Sequence, residues 1–227
     1  MKLFQIKKEI IPILLLISAL AVGAFFYSQL PEQVPTHWGL GGEVDGWSPK
    51  GFVAFWMPLM YLGMYLLLSF VVFIGPFKKN IEKFYTQYFY LKLAIVAFMI
   101  GLHGLTIASA LSQNKLPVDK IVIFGTGALF VFIGSIMPQM KRNFFIGIRL
   151  PWTLASDEVW KKTHDLGGKI FMGMGVIIAL SGIIGGSISF IVMMASIFGG
   201  IISLGIYSYL EWKKLPDSKK INLNLKK

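Results

Sequence analysis

The sequence contains no cysteine, which excludes a disulfide framework, a thiolate metal site and a cysteine nucleophile. Histidine is nearly as scarce, with three in 227 residues, so no multi-histidine metal site is expected, and no cofactor. Charge is also thin: 15% of residues are Asp, Glu, Lys or Arg, against about 25% in an ordinary soluble domain. What the chain has instead is apolar mass, 55% hydrophobic and 15% aromatic. Those residues arrive in long blocks with charges clustered between them, a pattern that excludes disorder and argues against a soluble globule. The formal net charge of +11 sits at the ends of the apolar blocks rather than along one groove, which argues against direct nucleic-acid binding.

A bilayer core needs roughly 20 apolar residues in helix, because every backbone polar group must be satisfied within the segment. Six stretches meet that requirement, near Ile10–Leu30, Gly51–Gly75, Tyr88–Leu111, Lys120–Pro138, Ile170–Gly186 and Ile188–Leu210. Only Gly185, Gly186 and Ser187 separate the last two, so a tight helical hairpin is expected there. The fold class is therefore all-α: a polytopic membrane protein of six transmembrane helices. Basic residues are retained on the cytoplasmic side. With the N-terminus inside, only Lys50, Lys115 and Lys120 fall outside, while Lys2, Lys78, Lys92, Arg149, Lys169 and the lysine tail to Lys227 fall inside. Both termini are expected in the cytoplasm. A competing reading of the start is a cleaved signal peptide, with Lys7, Lys8 and the small pair Ala19 and Ala21. The apolar run continues through Phe25 and Phe26, long enough to span.

Tyr27, Trp47, Trp56, Tyr85, Tyr88, Trp152, Trp160, Tyr207, Tyr209 and Trp212 fall near the ends of spans and read as interface anchors. Gly182 with Gly186, and Ser196 with Gly200, are small residues at fourfold spacing that would let helices approach. His103, beside Gly101 and Gly104, is the polar residue expected at membrane depth. It reads as an imidazole bonded to a neighbouring helix, with a proton relay as the alternative.

Two connections carry more than loop composition. The outer one, 31–50, holds Pro35, His37, Trp38, Gly42, Asp45, Gly46, Trp47 and Lys50. Its glycines imply turns with positive φ, and its histidine and tryptophans give those turns something to pack against. His37 reads as a structural residue capping the turn, since one imidazole with Glu43 and Asp45 matches no metal template. The inner connection, 141–169, contains Asn143, Gly147, Arg149, Pro151, Trp152 and Thr153. A short helix then follows with its N-cap at Ser156 and acids in its first turn. Trp160 and His164 lie four residues apart, on one face of that helix. Arg149 reads either as a carbonyl-capping or phosphate-anchoring side chain at headgroup level or as a site residue.

The inner stretch from Asn143 to Leu154, followed by Trp160, Thr163-His164 and Gly167-Gly168, resembles the signature of the SdpI family of bacterial membrane proteins. Leu150 and Asp165 depart from that pattern. His37, Gly42, Asp45-Gly46-Trp47, Lys50 and Pro58 resemble a short domain of unknown function that often precedes the SdpI part. The resemblance implies two units, residues 1–75 and 76–227, in a bacterial cell membrane. It also implies an immunity protein that protects against a secreted antimicrobial peptide toxin, with membrane lipids around it and a cytoplasmic repressor as a second partner. The outer loop's Glu32, Glu43 and Asp45 against the single Lys50 suit a cationic peptide.

The other class is a membrane transporter or a membrane-embedded enzyme. A transporter should show repeated halves and charges at depth, and no repeat is evident. An enzyme needs a nucleophile beside a base. Thr163, His164 and Asp165 are of the right types, but adjacent helical residues point apart, so no catalytic residue is expected.

Overall fold

The computed structural model describes residues 6–72 and 78–216. Lys2 at the start, Gly75 and the lysine tail from Lys219 to Lys227 lie outside the described residues. Each apolar block becomes a helix, since helix is the form that satisfies its own backbone in lipid. These are α1 (Ile6–Phe26), α2 (Met57–Val71), α4 (Tyr85–Leu111), α5 (Val118–Ile136) and α8 (Gly186–Lys213). Two short helices, α3 (Lys78–Glu82) and α6 (Pro151–Ala155), flank the cytoplasm-expected connections, and α7 runs Asp157–Ser181. Among the described residues, five helical segments are long and apolar enough to cross a membrane, from Lys8–Phe26 to Gly186–Lys213. The chain is a polytopic, predominantly helical membrane protein.

Two features differ from the sequence expectation, and a third lies close to it. First, the outer connection is a β-hairpin, with β1 (Gln33–Trp38) antiparallel to β2 (Val44–Pro49). All-α holds for the spans but misses this hairpin. The turn closes through Gly39 N–H to the Glu43 carbonyl at 2.8 Å, with Gly42 at φ +89°. Bulges around His37 bend the ladder, and fully buried Val34 pins the hairpin onto Leu30, Val53, Ile107 and Ala110. Second, the short helix expected after Ser156 does not stop before a separate span. It continues unbroken as α7, so Trp160, Thr163, His164 and Gly168 occupy its first turns rather than a loop. Ser156 does cap it, its hydroxyl accepting the Val159 N–H. Third, α7 ends at Ser181 and α8 starts at Gly186, close to the expected break. There the Asp119 carboxylate accepts the Gly186 N–H at 2.7 Å.

The tightest helix pairing is α5 against α7. A Cβ at Gly127 would lie 2.5 Å from the Gly175 carbonyl, and one at Gly134 would lie 2.7 Å from the Gly168 carbonyl. Glycines seven residues apart on both helices therefore line one seam, where backbones meet with no side chain between them. The fourfold pairs singled out in the sequence are not this seam, although Gly200 does pack directly on the Met174 sulfur.

α2 is preceded by a π-turn, Phe52–Trp56, in which Met57 N–H bonds the Phe52 carbonyl. In that register the Val53 carbonyl would be served by residue 58, which is proline and has no N–H. Buried His103 supplies the missing donor, Nε2 to the Val53 carbonyl at 3.0 Å. The proline of α2 and the histidine of α4 are thus two halves of one accommodation.

Candidate functional site

The inner signature builds one compact structure. Asn143, fully buried, saturates its amide: Oδ1 accepts from Phe145 and Ile146 N–H at 2.8 Å, and Nδ2 donates to the Lys141 and Ile146 carbonyls. That folds the chain back on itself ahead of Gly147, which sits at φ +108°. A Cβ on Gly147 would run into the His164 ring and lie 3.2 Å from Trp160. Glycine is required here twice over, by conformation and by the closeness of the imidazole.

His164 is fully buried and stacks on Trp160, ring centroids 4.0 Å apart and planes 17° from parallel. Its Nδ1–H donates to the Trp160 carbonyl at 2.8 Å, and its Nε2 accepts the Ile148 N–H at 3.1 Å. With one nitrogen donating and the other accepting, the ring is neutral. Burial pushes its pKa down to about 4. Trp160 in turn donates to the Met140 carbonyl at 2.9 Å.

The rest of the motif ties this loop to the bundle. Pro151 opens α6, whose N-terminus is closed by the Thr153 hydroxyl accepting the Leu150 N–H at 2.9 Å. Leucine therefore serves at position 150, where only the backbone is used. Trp152 reaches across to α8, its indole donating to the Ser208 hydroxyl at 2.7 Å with its ring edge-on to Tyr209. Arg149 is exposed and donates to the Phe144 carbonyl at 2.6 Å, the carbonyl-capping arrangement. Gly168 belongs to the α5–α7 seam. Thr163, His164 and Asp165 are not brought together. Thr163 and His164 are buried, while Asp165 turns outward to Lys161 at 2.6 Å.

In the outer hairpin His37 donates from Nδ1 to Asp45 at 2.5 Å, and Lys50 pairs with Glu32 at 2.7 Å. Donation to the Glu32 carboxylate holds the lysine pKa above its ordinary value. Gly42 carries the turn, and Trp47 stands exposed. Between the hairpin and α2, α4, α5 and α8 lies a mainly apolar cavity of about 360 Å³. Its walls include His37, Trp38, Leu40, Tyr61, Val122 and Phe190, with Asp119 at the rim.

Sequence reasoning missed one cluster. Glu9 of α1 and Lys92 of α4, both 2% exposed, pair at 3.0 and 3.2 Å. Glu9 also accepts from Tyr65 and, at 2.7 Å, from Tyr85, and Lys92 donates to Ser69 at 3.1 Å beneath the Tyr65 and Tyr88 rings. His103 is therefore not alone at depth, and Tyr85, Tyr88 and Trp160 are buried hydrogen-bond donors rather than interface anchors. The available signal was a charge inside each of two hydrophobic helices, counted in the sequence as flanking charge.

Two family models match parts of the chain. Residues 139–208 match the SdpI/YfhL protein family, and residues 14–62 match a domain of unknown function, DUF1648. The chain is 26% identical over 213 residues, 94% of its own length and 100% of the relative's, to the immunity protein SdpI of Bacillus subtilis (strain 168). No solved structure matches it. The chain thus carries a segment that matches the SdpI/YfhL family, with buried His164 and Trp160 packed against Gly147 inside it, preceded by a segment that matches DUF1648.

Proposed function

We propose that the chain is a membrane immunity protein that protects a bacterial cell from a secreted antimicrobial peptide, engaging the peptide at the hairpin side. The similarity to an immunity protein along nearly the whole chain supports the class. The single structural observation that carries the mode is the apolar cavity of about 360 Å³ under the hairpin. Glu32, Glu43, Asp45 and Asp119 lie on the hairpin or at the cavity rim, so an amphipathic cationic peptide finds an apolar seat with carboxylates nearby. In this reading the part of α7 from Ile170 onward makes the sixth crossing, both termini are cytoplasmic, and residues 1–75 and 76–227 are the two units. The hairpin with His37, Gly42, Asp45, Trp47 and Lys50 faces outward.

The inner face carries a second role, signalling to a cytoplasmic repressor. Of the signature, Asn143, Gly147, Thr153, Trp160, Thr163, His164 and Gly168 shape the loop, Pro151 and Trp152 dock it, and exposed Arg149 is left to meet a partner. Expression in cells sensitive to a cationic peptide toxin tests the protective role, with Val122→Trp filling the cavity. Survival with the native chain and killing with a membrane-inserted Val122→Trp chain is the expected result. Full protection by the filled variant would remove the cavity from the mechanism, and no protection by either chain against a panel of such peptides would remove the function.

A further inference from the structure

A second cavity, of about 300 Å³, opens at the other end of the bundle, where α3 leads into α4, α5 ends and α7 begins. Its lining includes Lys83, Lys141, Arg142 and Lys161 against one carboxylate, Asp157, with Asn80 and the buried Trp160 completing the wall. The four cations are not equivalent. Arg142 is 5% exposed and committed to the fold: Nε to Asp157 at 2.8 Å and Nη1 to the Leu154 carbonyl at 2.9 Å. Lys161 holds Asp165. Lys83 and Lys141 have no carboxylate partner among the described residues, and both are exposed.

We propose that this cavity binds the phosphate of an anionic lipid headgroup. The excess positive charge selects an anion, and two uncommitted ammonium groups can approach it without breaking an existing ion pair. The cavity lies beside the ends of α4 and α5, which places it at headgroup depth, where each lysine adds attraction to anionic lipid. Lys83 and Lys141 contribute the mobile charge, Arg142 the fixed one. Because Arg142 and Trp160 also hold the signature loop, a headgroup in this cavity touches the same framework that orders Gly147 and His164. This inference concerns a lipid at the inner end and does not depend on the peptide reading.

The test uses the purified full chain in vesicles of phosphatidylcholine, with and without an equal amount of phosphatidylglycerol, read as the midpoint of thermal unfolding. Phosphatidylglycerol should raise the midpoint of the native chain and of a Lys115→Ala control alike. Lys83→Ala with Lys141→Ala should keep its midpoint in phosphatidylcholine yet bind the anionic lipid about 30-fold more weakly. The pair Lys83→Gln and Lys141→Gln, which keeps the stems, should reproduce that loss. An undiminished shift in both double variants would overturn the proposal, as would an equal loss in Lys115→Ala, which would mean bulk surface charge. Inorganic phosphate added to phosphatidylcholine vesicles should do nothing. A shift there equal to that of the lipid would make the ligand a free anion and overturn the lipid source.

Discussion

Removing the Lys92 charge while keeping its length, as Lys92→Met, takes from Glu9 both ammonium contacts, at 3.0 and 3.2 Å. The carboxylate then stays buried with only the Tyr65 and Tyr85 hydroxyls as donors. Breaking one side of a buried ion pair typically costs about 3–5 kcal/mol, because the surviving charge has no counter-charge. Two remaining phenol donors keep the cost near the lower end, about 3 kcal/mol. The converse change, Glu9→Gln, leaves Lys92 with the Ser69 hydroxyl at 3.1 Å and two ring faces at 5.1 and 5.6 Å. Its cost should be similar, about 3 kcal/mol. The double variant buries no charge, so it should lose much less than the sum, with a coupling of about 2–3 kcal/mol. Equilibrium unfolding of the four purified proteins in one detergent gives the cycle. Additivity within about 0.5 kcal/mol would refute the argument that these two charges are a unit.

Two further predictions concern the signature core. His164 has a folded pKa near 4 against 6.5 when free, so the unfolded chain binds the proton more readily. Its contribution is therefore complete above about pH 6.5 and is lost toward pH 4, at roughly 1.4 kcal/mol per pH unit. His164→Gln should flatten that part of the stability curve, and an unchanged slope would assign the pH dependence to other groups. Gly147→Ala forces a Cβ into the His164 ring at φ +108° and should cost about 3 kcal/mol or more. Alanine at Gly173, where a Cβ meets nothing, should be neutral in the same thermal assay.

Five of the six expected spans were legible because lipid imposes a simple rule, one long apolar helix per crossing, and composition reports it directly. Ser156 was legible as a cap and Trp160 with His164 as one face because both are local. What stayed hidden was pairing between distant segments. Nothing near Glu9 announces Lys92, and the apolar run around each disguises it as a flank. The hairpin escaped because Gly and Pro report turns without saying whether two short strands pair across them. The continuity of α7 escaped for another reason. Its first turns carry Lys161, Lys162 and Asp165 and its later turns are apolar, so hydropathy divides one helix in two.

The placement of the polar bonds follows from the solvent. Lipid tails are as apolar as leucine, so helices in a bilayer gain little from burying apolar faces against each other. Their choice of partner rests on close packing and on hydrogen bonds. Several pairings here have such a device: Glu9–Lys92 joins α1 to α4, His103 joins α4 to the turn before α2, and Trp152 joins α6 to α8 through Ser208. The glycine seam joins α5 to α7. The same logic accounts for most of the signature. A neutral imidazole spent on two backbone bonds is neither a base in waiting nor a ligand, and Asn143, Gly147 and Thr153 are equally spent on the turn they build. The motif is rigid scaffolding, and the side chains left exposed on and beside it are Arg149 and the lysines around the neighbouring cavity.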